Sequence, residues 1–188
     1  NGATDRGVSI TVATGTIDIN THAGSSIDGN NTNGLVAIAT GAGAAGDQIT
    51  ITNDGTVGAT TATDSTAIGA VLAGGGAGNI NITGSGSVKS GASGPALYAQ
   101  SNSTGSTTIN YNGAITSGLA GVLVNSLTGA GADLSVTTGV NGDISSTGSG
   151  IDLSVAATGA ADITVVANGT ITATGAGITS KATNAANT

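Results

Sequence analysis

The sequence predicts an all-β fold: a single-stranded parallel β-helix, a solenoid of about six coils with three short strands in each. Three observations carry that expectation. A three-part apolar motif returns about every thirty residues, its apolar positions alternate with a period of two, and glycine punctuates every return. A helical repeat of similar length would space its apolar residues at 3.6 and would not tolerate 34 glycines in 188 residues.

The first part of the motif reads Ile17-Asp18-Ile19, Ile49-Thr50-Ile51, Ile80-Asn81-Ile82, Ile109-Asn110-Tyr111, Leu134-Ser135-Val136 and Ile163-Thr164-Val165. Successive starts lie 32, 31, 29, 25 and 29 residues apart. The second part reads Gly55-Thr56-Val57, Gly86-Ser87-Val88, Gly113-Ala114-Ile115, Gly142-Asp143-Ile144 and Gly169-Thr170-Ile171, with Ile27 as a looser first member. The third is an apolar run around Leu35, Ile68, Leu97, Val122, Ile151 and Ile178, and Gly7-Val8-Ser9-Ile10 reads as the same strand of a coil whose earlier strands are absent. From third part to next first part the interval is 12 in four consecutive turns: Ile68 to Ile80, Leu97 to Ile109, Val122 to Leu134 and Ile151 to Ile163. That arc is expected to be geometrically fixed, with length variation confined to the two other corners, where insertions bulge outward.

Composition bears on the interior and the size. A single proline leaves the strands free to donate to their neighbours, and glycine is expected at corners that need positive φ. With no Phe or Trp the interior must be narrow, filled by ladders of Ile, Val, Leu and Ala. Tyr111 holds an inward position, so its hydroxyl needs a partner or an outlet to water. At roughly 4.8 Å per coil, residues 1–188 make one quasi-linear rod on the order of 30 Å long. Uncapped solenoid ends expose strand edges, so the chain reads as a segment of, or a subunit in, something longer.

A formal net charge of -7 with three basic residues, Arg6, Lys89 and Lys181, excludes the basic surface that nucleic acid requires and disfavours anionic membranes. No apolar run approaches the ~20 residues of a membrane span. The absence of cysteine excludes disulfides, thiol catalysis and thiolate metal sites.

Ile49-Thr50-Ile51-Thr52-Asn53-Asp54-Gly55-Thr56-Val57 and Ile163-Thr164-Val165-Val166-Ala167-Asn168-Gly169-Thr170-Ile171 resemble the β-helical passenger regions of bacterial autotransporters and related surface adhesins. The resemblance extends over nearly the whole chain and rests on a degenerate pattern. It implies a right-handed coil displayed at the outer surface of a Gram-negative cell or outside it, with a stalk or adhesive role. Its partners would be a host or neighbouring-cell surface, carbohydrate, or other copies of the chain. The aromatic-rich translocator barrel of such proteins is not in this sequence, nor is any protease or lipase motif of their enzymatic members.

Catalysis by a β-helix acting on polysaccharide needs clustered carboxylates. Here the aspartates are scattered. Asp133 and Asp162 share one place, just before the first strand, where Asn79 and Thr108 stand in other coils; the expected role is a hydrogen bond to the corner backbone, and the alternative is an acid pair or calcium site. His22 has no second histidine and no nucleophile elbow beside it, and reads as a solvated loop residue. The glycine run at 74–78 lacks the Lys-Ser/Thr of a phosphate loop and reads as a flexible corner. The chain is therefore expected to be no enzyme and to need no metal or cofactor.

The best candidate surface is the outward side of the first strand, with Thr50 and Thr52, Asn81 and Thr83, Asn110 and Asn112, Ser135 and Thr137, then Thr164 stacked in two polar columns. Threonine suits any exposed pleated surface, and stacked Asn adds amide ladders. A subunit of a self-assembling extracellular filament is the leading alternative function, followed by an ice-binding face built on these columns. A specific partner is expected on the columns or at the long corner of residues 58–67.

Overall fold

The computed structural model describes residues 7–29, 32–59, 65–127, 132–156 and 161–183. These form strands and turns with no helix. The first coil holds β1 (Val8–Val12), β2 (Ile17–Thr21) and β3 (Ser26–Asp28); the second β4 (Leu35–Ala39), β5 (Gly43–Asn53) and β6 (Thr56–Gly58). Next come β7 (Ile68–Leu72), β8 (Gly76–Gly84) and β9 (Ser87–Lys89), then β10 (Leu97–Ser101), β11 (Thr107–Tyr111) and β12 (Ile115–Ser117). The last coils hold β13 (Val122–Ser126), β14 (Leu134–Thr138) and β15 (Ile144–Ser146), then β16 (Ile151–Val155), β17 (Ile163–Ala167) and β18 (Ile171–Ala173), with β19 (Ile178–Ala182) opening another turn.

Every third strand pairs in parallel, so the chain winds as a β-solenoid of about six coils, three strands to a coil. Sheet A is β1-β4-β7-β10-β13-β16-β19, sheet B β2-β5-β8-β11-β14-β17 and sheet C β3-β6-β9-β12-β15-β18. Alternation sends one face of each strand inward. Ile19, Ile51, Ile82, Ile109 and Val136 stack along sheet B, Val57, Val88, Ile115 and Ile144 along sheet C, and all are buried in one core. Sheet A presents Ala37, Ala70 and Ala99 at its centre, small side chains that make room for the isoleucine columns opposite.

The register corrects the expected motif alignment in the fourth coil. Ile80 stands opposite Thr107, Ile82 opposite Ile109 and Tyr111 opposite Gly84, two residues away from the alignment of Ile80 with Ile109. The arc from sheet A to sheet B is 12 residues from Ile68, Val122 and Ile151, but 10 from Leu97 to Thr107 and 14 from Leu35 to Ile49. The more constant passage is from sheet B to sheet C: 8 residues from Ile49, Ile80, Thr107 and Ile163, and 10 from Ile17 and Leu134. A polar residue at an inward position causes the misalignment. Thr107 is buried, and so invisible to a search for apolar alternation.

Glycine also differs from expectation. Only Gly15, Gly24, Gly46, Gly76 and Gly84 have positive φ among the described residues. Most others answer to coil-to-coil approach: a Cβ at Gly113 would stand 1.6 Å from the carbonyl oxygen of Gly86, and one at Gly86 would stand 1.8 Å from that of Gly55. The glycine stack lets the backbone turn tightly at the corner between sheets B and C.

Candidate interaction faces

Outward-facing residues of sheet B form two columns. The first is Asp18-Thr50-Asn81-Thr108-Ser135-Thr164 and the second Asn20-Thr52-Thr83-Asn110-Thr137-Val166. Thr50, Thr52, Asn81, Thr83, Asn110, Ser135, Thr137 and Thr164 thus share one face, as anticipated. Asn110 belongs beside Thr83 and Thr137 in the second column, and Thr108 takes the place expected for it. Asn112 is not on the face: it lies past the end of β11, and its Oδ1 accepts the Asn141 backbone N–H at 3.0 Å. The Thr52 and Thr83 hydroxyls are 3.3 Å apart, and Asp18 is the single charged group of the twelve. The face can offer neutral hydrogen-bonding groups at two fixed spacings, about 4.8 Å between coils and about 6.6 Å along each strand.

At the corners, Asx side chains bind forward by one coil. Asp133 Oδ1 accepts the Asp162 N–H at 2.9 Å, Asn79 Oδ1 that of Ser106 at 2.9 Å, Asp143 Oδ1 that of Thr170 at 2.7 Å and Asn33 Oδ1 that of Thr66 at 2.9 Å. Ser106, not Thr108, fills the place before the sheet B strand in the fourth coil. The corner backbone role expected for Asp133 is present, but as a bond between coils rather than a local Asx turn. Asp54 belongs to the same class. Its Oδ1 accepts both the Ser85 hydroxyl at 2.7 Å and the Ser85 N–H at 3.0 Å, which holds its carboxyl below the usual value. No group of three or more His or Asp suited to a metal occurs among the described residues.

His22 is exposed at a turn that Gly24 permits with φ +84°, its carbonyl accepting the Ser25 N–H and hydroxyl. The glycine run at 74–78 is less free than expected. From Gly76 it is strand β8, paired to β5 through Gly43–Gly76 and Gly46–Gly78, and the Gly78 carbonyl accepts the Ser103 hydroxyl at 2.6 Å. At the long corner of residues 58–67, Ser65 Oγ donates to the Ala59 carbonyl at 2.9 Å, while 60–64 lie outside the described residues.

Tyr111 is fully buried and finds its partner inside the solenoid. Asn53 Nδ2 donates to its hydroxyl at 2.5 Å, and Asn53 Oδ1 accepts from the Thr21 hydroxyl at 2.5 Å. Burial pushes the phenol well above its ordinary value, the Asp54 charge adds to the rise, and the Asn53 bond opposes it.

Sequence reasoning missed the outer face of sheet A. Its columns run Ser9-Val36-Gly69-Tyr98-Leu123-Asp152-Thr179 and Thr11-Ile38-Val71-Gln100-Asn125-Ser154-Lys181. The middle of this face is apolar, unlike the other two. A signal was present: Leu35–Ala39 and Ile68–Leu72 are apolar on both faces of the strand, which breaks the period of two. No family model, no curated protein and no solved structure matches the chain.

Proposed function

We propose that this chain is a non-enzymatic structural and adhesive β-helix, the rigid spine of a protein displayed on the outer surface of a Gram-negative bacterium. One observation carries the reading: three parallel sheets run through the described coils, interrupted only by register shifts at the start of the β5–β8 pairing, so the backbone bonds of one coil are made to the next, along the rod axis. Such a rod bends only by breaking many bonds together. Outward polar columns then repeat weak contacts along its length, and their effects multiply when a host or neighbouring surface offers matching groups. Antibody raised against this segment should label intact cells of the organism that carries the gene. Labelling only after lysis would end the proposal.

The alternative reading is a subunit of a self-assembling extracellular filament. Electron microscopy of the purified chain across concentration separates the readings, with discrete rods expected. The nearly uncharged sheet B face favours ice binding as the second reading. Thermal hysteresis that disappears on Thr83→Tyr would replace the spine reading with that one.

A further inference from the structure

Gly69 is an anomaly among the strand glycines. Of Gly43, Gly46, Gly69, Gly76, Gly78 and Gly84, it alone combines an ordinary φ with room for a side chain: a Cβ there meets only Thr66 Cγ2 and Val36 Cγ2, each at 3.7 Å. Neither strain nor crowding requires glycine at this position. A glycine inside a strand weakens it, and one use of such a gap is the close approach of a ligand.

The gap is the floor of a depression of about 280 Å³ on the outer face of sheet A. Val36, Ile38 and Val71 line it on one side, Tyr98 stands one coil on, and Asn33 and Thr66 supply polar groups at its rim. The Tyr98 hydroxyl donates to Gln100 Oε1, two residues along the same strand, which holds the phenol ring along β10 and away from the gap. An aromatic surface beside the depression is therefore positioned before any ligand arrives, which lowers the ordering cost of binding.

We propose that this depression binds one ring of a neutral, pyranose-containing glycan. Size, charge and surface chemistry point to that occupant. The volume is at the small end of ligand pockets, enough for one ring rather than an extended molecule. No charged residue lines it, which matches a neutral ligand. A pyranose carries an apolar C–H face for the Tyr98 ring and hydroxyls for Asn33 and Thr66. The surrounding apolar patch is two residues wide across the second and third coils and one residue wide, Tyr98 and Leu123, across the fourth and fifth, on the order of 200 Å². That is well short of the roughly 800 Å² per partner that a stable second copy needs.

The proposal goes beyond the spine reading and fails separately from it, since a rod without this site is still a spine. Saturation-transfer NMR on the whole chain with methyl hexopyranosides and neutral hexose oligosaccharides tests it. Transfer to at least one neutral sugar is expected. Gly69→Val should lower its affinity at least tenfold while the unfolding midpoint holds or rises, because the gap is filled by a side chain that suits a strand. Gly69→Ala should weaken binding less, and Tyr98→Ala should abolish the transfer to ring C–H protons. The proposal is overturned if no neutral sugar binds, if binding survives both Gly69→Val and Tyr98→Ala, or if only acidic sugars bind. It is equally overturned if sedimentation shows a dimer that Gly69→Val dissociates.

Discussion

At the scale of single residues, the rod is held by polar side chains that each serve the neighbouring coil. The corner aspartates test this directly, because the reading needs an oxygen acceptor and not a charge. Asp133→Asn keeps an oxygen for the Asp162 N–H and should leave stability within about 0.5 kcal/mol, whereas Asp133→Ala should cost about 0.5–1.5 kcal/mol in denaturant unfolding. Equal effects of the two substitutions would point instead to a role for the charge and refute the acceptor reading. Tyr111 supplies a second test through pH. Its folded-state pKa is raised above its unfolded value near 10, so its contribution to stability is complete below pH 10. Above that, the unfolded chain releases a proton that the folded chain retains. Stability should then fall by up to about 1.4 kcal/mol per pH unit as pH rises toward the folded value. In a Tyr98→Phe background, tyrosinate absorbance should appear together with loss of β circular dichroism; a separate titration before unfolding would show that the phenol is not sealed.

At the scale of strands and corners, crowding decides what substitutions the fold allows. Gly113→Ala places a methyl where the Gly86 carbonyl oxygen lies, and only separation of two coils relieves the clash. A cost of about 3 kcal/mol or more is expected by denaturant unfolding, against a neutral or stabilising Gly69→Ala. Both residues read alike in the sequence, and their difference appears only when the coils are stacked. Legibility followed the same boundary. Alternating apolar triplets made the three sheets readable, since inward faces must be apolar wherever a core is dry. The fourth coil was misread because Thr107 is an inward hydroxyl, and Asn112 was placed on the polar face by the same two-residue slip. The Gly69 depression was not legible at all, because it depends on which residues of the second, third and fourth coils become neighbours.

At the scale of the whole molecule, the strands of each coil pair only with those of its neighbours, so stability depends on position along the axis. Ile82 and Ile163 are the same residue type, both inward on sheet B, but Ile82 is fully buried between coils and Ile163 is only partly buried in the last described coil of that sheet. In the isolated chain, Ile82→Ala should cost about 2–5 kcal/mol, as deletions in packed cores do, and Ile163→Ala less than half as much. Hydrogen exchange should show the same gradient, with β17, β18 and β19 opening at lower free energy than β7, β8 and β11. The contrast becomes a test of the spine when the experiment is repeated in the full-length gene product. If further coils stack on β17, they seal Ile163, and the two substitutions should become equal in cost. Persistence of the gap would mean that no further strand stacks on β17, and a spine built by continuous stacking would be refuted.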